Sequence, residues 1–140
     1  MFDDLAQVVR QEIECYERVL GLLREEKGLV IRGDVEALGE RVKQKETLGL
    51  EIKVLEEARL GLMRKIGTVL EISEQHLTCS KLAELAPPSS ALLYQALLAR
   101  FRQLIGQMEK INEQYGLLLE RSSLAGAAPV IHPGIVDFLR

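Results

Sequence analysis

Arg32-Gly33-Asp34-Val35-Glu36-Ala37-Leu38 is where one run of helical periodicity stops and a second begins. Gly33 can take the left-handed conformation that closes a helix. Asp34 can cap the next helix, its carboxylate accepting from the free N–H groups of the first turn. Glu36 adds negative charge at the same positive dipole end. A turn this short makes the flanking helices fold back as an antiparallel hairpin.

Upstream of the turn, Phe2, Ala6, Val9, Ile13, Tyr16, Leu20, Leu23, Lys27 and Val30 recur in steps of four and three, and only Lys27 is polar. That is one apolar seam on a helix of about eight turns. Downstream, the seam reads Leu38, Val42, Lys45, Leu48, Ile52, Leu55, Arg59, Leu62, Ile66 and Val69. Lys45 and Arg59 have stems long enough to lie along the edge of an apolar face. A helix from Val35 to Ile72 spans ~55 Å at 1.5 Å per residue.

Ser73 to Ser90 is the main break. A short helical turn fits Lys81 to Leu85, capped by Thr78 or Ser80, and Pro87-Pro88 stops it. Ser89 or Ser90 then caps a third helix. Its seam is Leu93, Leu97, Arg100, Leu104, Met108, Ile111, Tyr115 and Leu118, widened by Phe101, Ile105 and Leu119. A wide apolar face suits a helix that docks between two others. The predicted helices are Phe2–Ile31, Val35–Ile72 and Ser90–Ser123. The predicted fold is therefore all-α, an elongated antiparallel three-helix bundle over residues 1–123 with an irregular tail over 124–140. Gly126, Pro129, Pro133 and Gly134 break any long helix in that tail, while Val130, Ile131, Ile135, Val136, Phe138 and Leu139 make it apolar. It reads as an extended segment closing with a short turn, and it either packs along the bundle or stays mobile.

Composition agrees with this reading. The chain has 140 residues, 47% hydrophobic and 28% charged, enough for one packed domain. All 4 Pro lie from Pro87 onward, which leaves the first half free for long helices. A net charge of -3 argues against a protein that works by neutralising phosphates. The acidic start, Met1-Phe2-Asp3-Asp4, lacks a basic n-region, and no segment reaches ~18 uncharged apolar residues, so the chain reads as cytoplasmic. Cys15 and Cys79 are isolated, and read as small buried or half-buried residues in a reducing compartment.

Eight glycines fall inside the predicted helices: Gly21, Gly28, Gly39, Gly49, Gly61, Gly67, Gly106 and Gly116. Each costs ~1 kcal/mol against Ala, so the helices depend on packing. The glycines either permit close helix contact, leave the bundle pliable, or are tolerated composition.

No chemistry emerges from the motifs. Gly28 and Gly33 have the glycine spacing of a phosphate loop, but Asp34-Val35 stands where Lys and Ser/Thr belong. Glu74, His76 and Cys79 fall short of the four ligands a structural zinc site needs. Two histidines, His76 and His132, cannot supply two Glu-x-x-His motifs of a di-iron bundle. Glu12, Glu14, Glu25, Glu26, Glu56 and Glu57 read as solvated helix faces. The expectation is a non-enzymatic protein with no metal and no cofactor, whose helices bind another protein.

Gly33-Asp34-Val35-Glu36-Ala37-Leu38, then Lys45-Glu46-Thr47-Leu48, then Ile52, Leu55-Glu56 and Arg59 resemble the central signature of FlgN-type flagellar export chaperones. Asn112-Glu113-Gln114-Tyr115-Gly116-Leu117-Leu118-Leu119 matches the Asn-rich third helix of that family in part, with Tyr115 where a second Asn is common. The resemblance spans Leu5 to Arg121. It implies a cytoplasmic chaperone that binds hook–filament junction (hook-associated) proteins and delivers them to the flagellar type III export machinery. It also implies a partner-binding region at the C-terminal end, which here would comprise Ile111, Asn112, Tyr115, Leu118 and Leu119, with the tail residues Val130, Ile131, Ile135, Val136, Phe138 and Leu139. For Tyr115 and Leu118, on the main seam, closing the core is the competing role. The competing function is a non-catalytic coiled-coil scaffold or homodimerisation module, which would not bind a junction protein.

Overall fold

In the computed structural model, secondary structure is described for residues 1–122 and 133–140, and side chains for residues 1–114 and 134–140. Three long helices dominate: α1 (Phe2–Arg32), α2 (Val35–Leu70) and, after a short helix α3 (Cys79–Leu85), α4 (Pro88–Ser122). A 3₁₀ turn (Glu74–His76) precedes α3, and a last short helix, α5, covers Pro133–Phe138. No strand occurs among the described residues.

The hairpin turn forms as its residues dictate. Gly33 has φ 69, and its N–H donates to the Val30 carbonyl at 3.1 Å while the Asp34 N–H donates to that of Leu29 at 3.0 Å. The orphan carbonyls of α1 are thereby satisfied. Asp34 Oδ1 accepts from the Ala37 N–H at 3.2 Å and caps α2. Leu29, Val30 and Leu38 form a small apolar cluster across the turn.

Side-chain pairs fix the directions of the helices. Between α1 and α2, Glu12 meets Arg59 and Glu26 meets Lys45, so one number falls as the other rises and the helices are antiparallel. Between α1 and α4, Tyr94 donates to the Phe2 carbonyl, Arg100 meets Glu17, and Lys27 meets Gln114. Both numbers rise together, so α4 runs parallel to α1. The topology is up–down–up, with α1 packed along both other long helices.

The core follows the predicted seams, with instructive departures. Ala6, Val9, Ile13, Tyr16, Leu20, Leu23 and Val30 are buried, and so are Leu5, Val19 and Leu29. The buried face of α1 is wider than one seam because it meets helices on two sides. Burying each large apolar side chain contributes roughly 1.5–3 kcal/mol. Tyr16 packs on Phe101 with ring centroids 5.5 Å apart, and Phe2 meets Tyr94 edge-on at 6.1 Å. Val69, placed on the α2 seam, is exposed, because α2 ends at Leu70 in a left-handed Glu71 with φ 55.

Three expectations change. Glu12 and Glu26 are buried in the α1–α2 interface and not on a solvated face, each facing a buried cation. The third long helix begins at Pro88, with the Ser90 and Ala91 N–H groups bonded to the Pro87 carbonyl, so neither Ser89 nor Ser90 is the cap. Proline suits the first helical position, where its missing N–H has no partner to lose. In the tail, the short closing turn is a full six-residue helix, Pro133–Phe138, and of the two expected fates packing holds there: Ile135, Phe138 and Leu139 join the main core.

The glycines separate by environment. A Cβ on Gly67 would lie 2.6 Å from the Ile72 carbonyl oxygen, where the chain doubles back to donate the Ile72 N–H to Gly67. Only glycine permits that approach. Gly21, Gly28, Gly39, Gly49, Gly61 and Gly106 have open space at the same point.

Candidate functional site

The residues expected to bind a partner fall into separate places. Ile111 is half-buried on α4 and packs against the core. Asn112 is half-buried, and its Oδ1 is buried without a hydrogen-bond partner. Tyr115, Leu118 and Leu119 belong to the last turns of α4, but their side chains lie outside the described residues, as do Val130 and Ile131 altogether. Of the tail residues, Val136 is exposed, whereas Ile135, Phe138 and Leu139 are buried.

Contacts from two arginines anchor Leu139 and Phe138, while Ile135 packs in the apolar core. Arg102 Nε on α4 donates to the Leu139 carbonyl at 2.8 Å. The Phe138 ring lies 4.5 Å from the Arg59 guanidinium on α2. Arg102 precedes Ile111 by nine residues, or about 13 Å of helix at 1.5 Å per residue. The α4 part and the buried tail part of the expected surface are thus apart along α4, and the end of the tail reaches across to α2.

Beneath Phe138 lies the polar centre of the fold. Arg59 Nε donates to Glu12 Oε1 at 2.9 Å and to Oε2 at 3.2 Å. Glu56 Oε1 stands 3.7 Å from Arg59 Nη2. The Glu12 carboxyl is pushed up from 4.5 to about 7. Burial is the main cause, opposed by the attraction and hydrogen bond of Arg59 and assisted by Glu56. Two heptads away, Lys45 Nζ donates to Glu26 Oε2 at 3.1 Å, with both residues buried. The sequence did carry this signal. Glu12 and Glu26 are fourteen apart, and so are Lys45 and Arg59, which matches two acids to two bases across an antiparallel hairpin.

Neither cysteine shows the setting of a reactive thiolate. Burial pushes the Cys79 thiol up to about 11. The Cys15 thiol is also raised, first by burial and then by Glu51, 3.7 Å away. Of the candidate metal ligands, Cys79 is fully buried, His76 is exposed, and Glu74 lies 3.5 Å from Arg64. Among the described residues no three His, Cys, Asp or Glu side chains converge to hold a metal ion. None of the described helices is long and apolar enough to cross a membrane.

The geometry is therefore that of long helical faces and grooves. Comparison with known proteins points the same way. The family model described as FlgN protein matches residues 1–125 of the 140. Searches of curated proteins and of solved structures gave no match. With nearly the whole helical bundle covered by that match, the chain belongs to the FlgN protein family, the cytoplasmic, non-catalytic flagellar export chaperones of hook-associated proteins.

Proposed function

We propose that a hook-associated client is received at the C-terminal end of α4 together with the tail. The proposed contacts are Ile111, Asn112, Tyr115, Leu118 and Leu119, then Val130, Ile131 and Val136. Ile135, Phe138 and Leu139 join them only when α5 leaves the core. The observation that supports this reading most is the register of α1 and α4. Lys27 meets Gln114, five residues before α1 ends at Arg32, while α4 continues eight residues further to Ser122. The last turn of α4 therefore outruns its neighbour, and an amphipathic client helix can complete that end of the bundle.

In this proposal the loaded chaperone then passes its client to the export machinery, which must meet a surface the client leaves free. Calorimetric titration of a hook-associated protein into wild type and into Leu119→Asp is the test. Circular dichroism must first show that the variant folds. Weaker binding by the folded variant supports the site. Undiminished affinity moves the client elsewhere on the bundle.

A further inference from the structure

On the α1–α2 side of the molecule runs a groove that no described residue of α4 or α5 lines. It consists of two adjoining hollows of about 570 and 460 Å³ that share Arg18, Thr47 and Glu51. On α1 it extends from Gln11 to Glu25, about 21 Å of helix. Four turns of a partner helix span that length.

The groove has the chemistry of a helix seat. Cys15, Leu22, Leu48 and Leu55 form its apolar floor. Leu50 and Val54 form a ridge along one wall, 68% and 65% exposed and one helical turn apart. They stand on the face of α2 opposite to Ile52, which is in the core. Gly21 leaves one end open, with nothing within 4 Å of where a Cβ would be. An apolar ridge beside an apolar floor needs a partner with an apolar stripe.

Charge defines the partner further. Glu14, Glu25 and Glu51 line the groove; Arg18 faces Glu51 at 3.6 Å and Arg41 on α2 pairs with Glu25, which leaves the Glu14 charge unmatched. The local excess is negative. A partner whose flanks carry Lys or Arg gains by approaching, and an acidic one is repelled.

We propose that this groove is a docking site for an amphipathic helix with basic flanks, borne by a protein other than the client held at the α4 end. The inference goes beyond the proposed client site and uses none of its residues. It gives the chaperone two faces that can be occupied together.

The test uses the full-length protein and two designed 16-residue helical peptides. Both carry Leu at i, i+3, i+4 and i+7, one flanked by Lys and the other by Glu. Fluorescence anisotropy should show saturable binding of the Lys-flanked peptide and at least about tenfold weaker binding of its Glu-flanked twin. Leu50→Asp/Val54→Asp should weaken the first peptide by about tenfold or more. Both positions are exposed, and circular dichroism checks the fold. Gly21→Leu, at a position with open space where a Cβ would stand, should also weaken it. Glu14→Lys/Glu51→Gln, which reverses the unmatched charge and releases Arg18, should reverse the preference. Absent binding, equal affinity for the two peptides, or indifference to the groove variants overturns the proposal. So does a dimer by sedimentation that Leu50→Asp dissolves, which would give the groove to a second copy of the chain. Because the peptides contain no client sequence, failure here leaves the client titration with Leu119→Asp unaffected.

Discussion

Phe138, the last residue of α5, lies 4.5 Å from the guanidinium of Arg59, whose Nε is bonded to Glu12. A cation in the hairpin core thus has a carboxylate on one side and an aromatic ring on the other. Such stacking contributes ~2 kcal/mol when desolvated. The tail caps one of the two buried ion pairs between the first two helices.

Truncation at Ser123 should leave the three long helices helical, because their seams lie elsewhere. It should also lower stability by several kcal/mol, since Ile135, Phe138 and Leu139 leave the core at roughly 1.5–3 kcal/mol each. Urea denaturation followed by circular dichroism measures both. An unchanged midpoint would show that α5 contributes nothing where it packs.

Breaking the Glu12–Arg59 pair should be severe. At pH 8, where both groups are charged, Arg59→Met should cost about 3–5 kcal/mol by leaving a buried carboxylate alone. Pairing it with Glu12→Leu should recover most of that loss, because a buried ion pair replaced by apolar groups is often close to neutral. Strictly additive losses in the double-mutant cycle would show the two residues to be uncoupled.

Glu12 should also make the fold sensitive to pH. The unfolded chain ionises it near 4.5, the folded chain only near 7. In between, the folded protein holds a proton that the unfolded chain has lost, so stability falls as pH rises. The contribution is fully present below 4.5 and lost above 7, about 3 kcal/mol in all. Glu12→Gln should flatten this part of the stability curve between pH 4.5 and 8. A slope unchanged by the substitution would assign it to other groups.

At the hairpin turn, Asp34→Ala should cost ~1 kcal/mol by removing the cap on α2. Gly33→Val should cost more, because φ 69 is strained for a β-branched residue. The two midpoints, compared in one denaturation series, check the order.

Two glycines in α2 should respond with opposite signs. Gly61→Ala meets nothing and should stabilise by about 0.5–1 kcal/mol. Gly67→Ala should destabilise, because its Cβ would lie 2.6 Å from a backbone oxygen. Stabilisation by both would mean that the chain after α2 yields easily.

Much of the fold was legible because the periodic signals are long and the turn chemistry is explicit. Gly33 and Asp34 do what a left-handed closing residue and a cap do, and the seam of α1 is buried almost throughout. Pro88 misled because a double proline reads as a stop, whereas its second member opens the next helix. Glu12 and Glu26 misled for a different reason: a charge on an amphipathic helix is usually solvated, and only the equal spacing of Lys45 and Arg59 signals otherwise. The expected partner surface was less legible. Val136 and Phe138 are equally apolar in sequence, and only the docking of α5 decides which of them meets solvent.

The middle position of α1 has a consequence for the order in which the molecule comes together. Its contacts with α2 can form as soon as the hairpin has been made. Its other side, including Phe2 and Tyr16, waits for Tyr94 and Phe101. At about 5–20 residues per second, the roughly 30 residues between the end of α2 at Leu70 and Phe101 take about 1.5–6 s. For that interval a protein that shields other chains from premature contact has half of its own first helix uncovered.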